Sequence, residues 1–222
     1  MSELLLPTLL SFVVAGLGAI LGLPIAIFVG HRLAHSRGPF RVALATLALL
    51  PLALPPVVTG YLLLLLLGRR GVLGGPLDAL GIHVVFSTLG AVIAALVVGL
   101  PLYILAARRA FEEVDPRLVD LARTLGASPA RVFREIELPL ARRGLAVGAL
   151  LAFARALGEF GATIVLAGDV AGRTRTIPLA VYAALARPGG ETTAASLAAI
   201  SIALSIAALV VHELATRKGR TR

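Results

Sequence analysis

A chain of 222 residues that is 58% hydrophobic and only 15% charged, with a mean hydropathy of +0.95, is not an ordinary soluble domain, which is about a quarter charged. Its formal charge of +9 is carried by arginines grouped between apolar runs, a mark of membrane topology rather than of nucleic-acid binding. The absence of cysteine excludes disulfides and thiolate metal sites.

The first apolar run, about residues 4–30, lacks a preceding basic residue and a cleavage signal, so it reads as a retained span. His31 and His35 follow at i,i+4, but no carboxylate pattern surrounds them. They read as part of a basic loop, and no metal site is expected. The second run, about 42–67, contains LPLALPPVVTGY with Pro51, Pro55 and Pro56. Proline removes an amide donor, so this span is either kinked or discontinuous and lining a pathway, with Thr59 beside the break. The third run is about 84–107, the fourth about 144–167 and the fifth about 193–215. Each is long enough to cross roughly 30 Å of hydrocarbon. Gly18 and Gly22, and Gly144 and Gly148, are spaced for close helix approach.

Five spans put 15 of the 21 basic residues on one side: the loop at 32–41, the segment at 108–143 and the tail ATRKGRTR. The positive-inside bias then places the N-terminus outside and the central segment and C-terminus in the cytoplasm. The tail reads as a snorkelling, orienting element at the lipid surface. The short apolar stretch at 177–186 cannot cross, and reads as a re-entrant or interfacial helix on the outer side.

The central segment DLARTLGASPARVFREIELPL interrupts this apolar chain with charge. Asp115 then Pro116 start a helix, and Leu118, Leu121, Ala122 and Leu125 mark its apolar face. Gly126 stops it, Ser128 and Pro129 start a second helix with Val132, Phe133 and Ile136 inward, and Leu138 with Pro139 ends it before the fourth span. A capped helix pair at the membrane surface suits either a knob in a partner's groove or a pair resting on headgroups.

Within the fourth span, Arg155 and Glu159 share one helical face, flanked by Gly158 and Gly161. Ionisable groups at membrane depth are costly, so they read either as an internal ion pair or as lining for an anion path and gate. Arg173, Thr174, Arg175 and Thr176 offer cations and hydroxyls at an outer mouth, or form an ordinary exposed loop. There is no G-x-x-x-x-G-K-[ST] phosphate loop, and the one lysine, Lys218, lies in the tail, so this chain is not itself an ATPase. A secondary transporter would need more intramembrane acids or histidines than Glu159 alone supplies. The prolines and the charged pair inside spans also argue against a passive scaffold.

Residues Asp120, Leu121, Ala122, Gly126, Ala127, Ser128, Ile136, Leu138 and Pro139 resemble the EAA loop of ABC importer permeases. Asp120 and Leu121 depart from that family's Glu-Ala. The stretches LPPVVTGYLLLLLLGRRGVLG, ARALGEFGATIVLAGD and GRTRTIPLAVYAAL are similar to the molybdate importer permeases, with tungstate and sulfate permeases as related alternatives. The resemblance implies a single all-α domain over 1–222, the transmembrane domain of a type I ABC importer in the cytoplasmic membrane. It implies that segment 116–139 is a coupling helix pair seated on a separate ATPase. It also implies a homodimer of permeases, two ATPase subunits carrying ATP and Mg2+, and an extracytoplasmic oxyanion-binding protein. No cofactor on this chain is implied.

Overall fold

The computed structural model of the chain describes residues 2–220, and the side chains of residues 3–214. The orienting role read for Arg217, Lys218, Arg220 and Arg222 lies outside the described side chains. Every regular element among the described residues is helical.

Helix α1 (Ser2–His35) is a single long helix that overruns the expected first span at its C-terminal end. Helices α2 (Pro39–Ala53) and α3 (Pro56–Leu67) follow, then the short α4 (Gly74–Ala79). Helix α5 (Thr88–Glu112) begins where the Ser87 hydroxyl accepts from the Gly90 amide at 3.2 Å, four residues after the expected start of the third span. Next come α6 (Pro116–Thr124) and α7 (Pro129–Val132), the latter running through a π-turn at Phe133–Glu137 into α8 (Leu138–Leu157). The remaining helices are α9 (Gly161–Leu166), α10 (Ile177–Leu185) and α11 (Glu191–Arg220).

The core is the packing of α1, α5 and α8. Small residues let these backbones approach, as membrane helices require in the absence of a hydrophobic drive between them. A Cβ on Gly144 would lie 2.5 Å from the Ala110 Cβ, and one on Gly148 2.8 Å from the Ala106 Cβ. Tyr103, Ile104 and Ala107 of α5 are buried between α1 and α8. Ser11 ties α1 to α10, its hydroxyl accepting from the Ile177 amide at 2.7 Å. Outward, α1, α2 and α11 expose Leu9, Ile20, Phe28, Leu47, Ile202 and Ile206, an apolar surface suited to hydrocarbon.

Among the described residues, three helices are long and apolar enough to cross a membrane: Glu3–His35, Thr88–Glu112 and Glu191–Leu214. The second expected span is broken: α2 and α3 meet at 114°, and together they form a fourth candidate. Leu54 is extended and Pro55 and Pro56 withhold their donors, so the helix cannot continue through them. The fourth expected span, 144–167, is also not one helix. It ends at Leu157 and restarts at Gly161, and Arg142, Arg143 and Arg155 set α8 apart from the fully apolar spans. The count of about five spans therefore depends on including α8.

Candidate functional site

Two helix breaks meet in the fold. The N-terminal turn of α3 packs on the N-terminal turn of α9. A Cβ on Gly161 would lie 3.0 Å from both the Pro56 Cβ and the Val57 nitrogen. Thr59 is buried beside this contact, and its Oγ1 has no hydrogen-bond partner among the described residues. Pro55, Pro56, Thr59 and Gly161, chosen from two distant stretches of sequence, are thus brought to one junction. Gly60 belongs to it as well and escaped the sequence reading. Its signal was only a glycine one residue past a PPVVT run.

Arg155 and Glu159 form an internal ion pair at this break. Arg155 Nη1 donates to Glu159 Oε2 at 2.9 Å, while the Ala162 amide donates to Glu159 Oε1 at 2.8 Å. The carboxylate therefore satisfies an open amide at the start of α9 and is almost fully buried, whereas the Arg155 side chain remains 31% exposed. Gly158 caps α8 with open space around it.

At the loop before α10 the expected mouth is only partly formed. Thr174 is fully buried: its hydroxyl donates to the Gly168 carbonyl at 2.8 Å and accepts from the Val170 amide at 2.9 Å. Arg175 is committed to Asp169 in a forked pair of 2.6 and 3.0 Å. Thr176 is buried at the N-terminus of α10, and Arg173 alone of the four is exposed. Thr174 turns inward because the tight turn leaves an amide and a carbonyl that its hydroxyl satisfies locally, whereas the Thr176 Oγ1 has no hydrogen-bond partner among the described residues.

The helix pair of the central segment is capped as expected. Asp115 accepts from the Arg117 amide at 2.9 Å, and Ser128 from the Arg131 amide at 3.4 Å. Gly126 takes φ 83°, and the Ala127 amide reaches back to the Ala122 carbonyl at 3.0 Å, a Schellman closure. The inward face differs from the expectation. Val119, with Ala122 beside it, packs on Val114 and Val132, while Leu118, Leu121 and Leu125 are 45%, 59% and 80% exposed. Asp120 and Ser128 are exposed beside them. The amphipathic period marks an apolar face, and here that face is left uncovered within the chain.

Leu138 and Pro139 do not end the second helix. The wide turn at Phe133–Glu137, closed by the Leu138 amide on the Phe133 carbonyl, accommodates the proline so that the helix continues into α8. Ile136 is half-buried in that turn and Glu137 is buried.

Glu137 also corrects the reading of His31 and His35. They lie in the last turns of α1, not in a loop, and the carboxylate stands between them: 2.9 Å from His31 Nε2 and 3.0 Å from His35 Nε2. A sequence separation of 106 residues hid this grouping.

Residues 22–220 match the family described as binding-protein-dependent transport system inner membrane component. The molybdenum transport system permease protein ModB of Escherichia coli (strain K12) is 49% identical over 215 residues, covering 96% of this chain and 94% of that protein. The ModB of Haemophilus influenzae is 43% identical over 210 residues, covering 94% and 92%. A bacterial alginate ABC transporter, solved in complex with an alginate pentasaccharide-bound periplasmic protein, superposes with a TM-score of 0.70 at 18% identity, covering 99% of this chain and 79% of that one. The fold is that of a type I ABC importer transmembrane domain. By this match along most of its length, the chain belongs to the family of binding-protein-dependent transport system inner membrane components, multi-pass transport subunits of the membrane.

Proposed function

We propose that this chain is the permease subunit of an ATP-driven importer and forms the path by which molybdate crosses the cytoplasmic membrane. The observation that carries the reading is the near full-length similarity to molybdenum transport permeases. In this reading two copies face each other, and each seats α6 and α7 on a separate ATPase subunit that holds ATP and Mg2+. The uncovered Leu118, Leu121 and Leu125 supply apolar contact, and the Gly126 turn fixes the angle of the knob. ATP hydrolysis resides in the partner.

The N-terminus and the loop before α10 face outward, where an extracytoplasmic oxyanion-binding protein docks near Arg173. The central segment and C-terminus face the cytoplasm, and α8 counts as a span. The gate is the junction of the two broken helices, Pro55, Pro56, Thr59, Gly158 and Gly161. There the half-exposed Arg155 lowers the barrier to a dianion, while Glu159 keeps the site from becoming a trap. Closure of the ATPase pair on ATP draws the coupling helices together and opens the path outward, and hydrolysis restores the inward state.

Reconstitution in proteoliposomes with the ATPase and the binding protein tests this. Molybdate accumulation that requires both partners and ATP is expected. Accumulation driven by an ion gradient with this chain alone would overturn it. Competition by tungstate and sulfate ranks the three oxyanions.

A further inference from the structure

We propose that His31, His35 and Glu137 form a site for one divalent transition-metal ion of the zinc class, fastening the C-terminal end of α1 to the π-turn at the root of α8. The three ligand atoms lie within 4.8 Å of one another. The carboxylate is buried, with 6% of its side chain exposed, and the imidazoles stand at the rim with 27% and 45% exposed. The site is therefore open to water on the His35 side.

Tautomers decide the chemistry. His35 Nδ1 is 3.0 Å from the His31 carbonyl oxygen, which only accepts, so the proton is on Nδ1. A neutral His35 then aims the lone pair of Nε2 at Glu137 Oε1, 3.0 Å away. Two acceptors at that distance repel unless a cation lies between them. Anchoring the far ring nitrogen on a backbone carbonyl is how metal-binding imidazoles are oriented. The His31 ring is also held, edge-on to Phe111 at 5.1 Å and Phe133 at 5.0 Å.

Two imidazoles, one carboxylate and an open side suit zinc, cobalt or nickel rather than magnesium or calcium, which favour all-oxygen shells. Tetrahedral bonds of about 2.0–2.1 Å place ligand atoms roughly 3.3 Å apart; the two imidazoles stand 2.9 and 3.0 Å from different oxygens of Glu137, and the three ligand atoms lie within 4.8 Å, a spacing that brackets this value. The bound ion would cross-link the helix that begins the chain to the joint where the coupling pair becomes α8.

The test uses the full-length chain in mild detergent, stripped with a chelator and titrated with ZnCl2 by calorimetry and with CoCl2 by visible absorption. One ion per chain is expected, with tetrahedral cobalt bands and a zinc-dependent rise in the thermal unfolding midpoint. His35→Ala and Glu137→Gln should each weaken binding by more than about tenfold. His83→Ala, which removes a surface histidine paired with Asp78 at 2.8 Å, should leave it unchanged. If Glu137→Gln does not fold, the half-exposed His35→Ala carries the comparison. No binding by the wild-type chain, or binding that neither variant weakens, would overturn the site and leave a proton as the cation between His35 and Glu137.

Discussion

Gly60 of α3 and Ala162 of α9 are in backbone contact: a Cβ on Gly60 would lie 2.7 Å from the Ala162 Cα and 2.8 Å from its carbonyl oxygen. The two broken helices are pinned at this point, and neither backbone can yield as a side chain would. Gly60→Ala should separate them at a cost of about 1–3 kcal/mol. A lowered thermal unfolding midpoint and a loss of molybdate uptake are expected. Wild-type values of both would show that the contact is not part of the working protein.

The face presented by α6 gives a different signature. Leu121→Asp and Leu125→Asp alter exposed side chains, so stability should stay within about 0.5 kcal/mol of wild type. Capture of the ATPase in mild detergent should nonetheless fall by more than about tenfold, at about 1.4 kcal/mol per decade. Capture at wild-type level by both variants would remove this face from the coupling interface.

At Gly126 the backbone sits at φ 83° with open space around the missing Cβ. A β-branched residue there carries strain of about 1–2 kcal/mol, whereas Asn tolerates the conformation. Gly126→Val should weaken ATPase capture and Gly126→Asn should largely preserve it. Equal behaviour of the two would show that the turn geometry does not matter for docking.

Arg155→Ala leaves the buried Glu159 carboxylate without its cation; with Arg155 itself 31% exposed, water screens part of the loss and the cost falls to about 1–3 kcal/mol, below that of a fully buried pair. Glu159→Gln keeps an oxygen for the Ala162 amide and should cost less. The double variant should therefore be more stable than Arg155→Ala alone, a non-additivity that unfolding midpoints measure directly. Strict additivity would mean that the pair does not form.

Thr174→Val removes the hydroxyl that serves both the Gly168 carbonyl and the Val170 amide. The cost of unsatisfied buried groups, about 1–3 kcal/mol, should appear in stability. Arg173→Ala, at an exposed position, should leave stability alone and raise the binding-protein concentration needed for half-maximal uptake. If Arg173→Ala leaves that concentration unchanged, Arg173 has no part in docking.

The elements that were legible in the sequence are those governed by local chemistry. The long apolar helices, the caps at Asp115 and Ser128, the stop at Gly126 and the break at Pro55 and Pro56 all follow from a few adjacent residues. The misread features depend on what lies across space. Period alone named Leu118, Leu121 and Leu125 as an apolar face, but Val119 is the residue the chain covers. Pro139 looked like a terminator because a π-turn is not visible in a residue pattern. Thr174 read as a hydroxyl offered at an outer mouth or in an exposed loop, yet its turn claims both bonding capacities of the hydroxyl. The grouping of Glu137 with His31 and His35 has no local trace at all.

The π-turn has a mechanical corollary. From Pro129 to Leu157 the backbone is one unbroken rod, roughly 40 Å from the helix tip at Ser128 to the interruption before Gly161. The wide turn holds one surplus residue, and one residue is worth about 100° of rotation about the rod. Because the wide turn takes up that residue, the two ends keep the phase of a plain α-helix one residue shorter. Lost from the turn, it leaves Arg155 at the same azimuth for a given orientation of the tip; lost from anywhere else on the rod, one residue swings Arg155 by about 100°, so that a push delivered at one end arrives at the wrong face of the other.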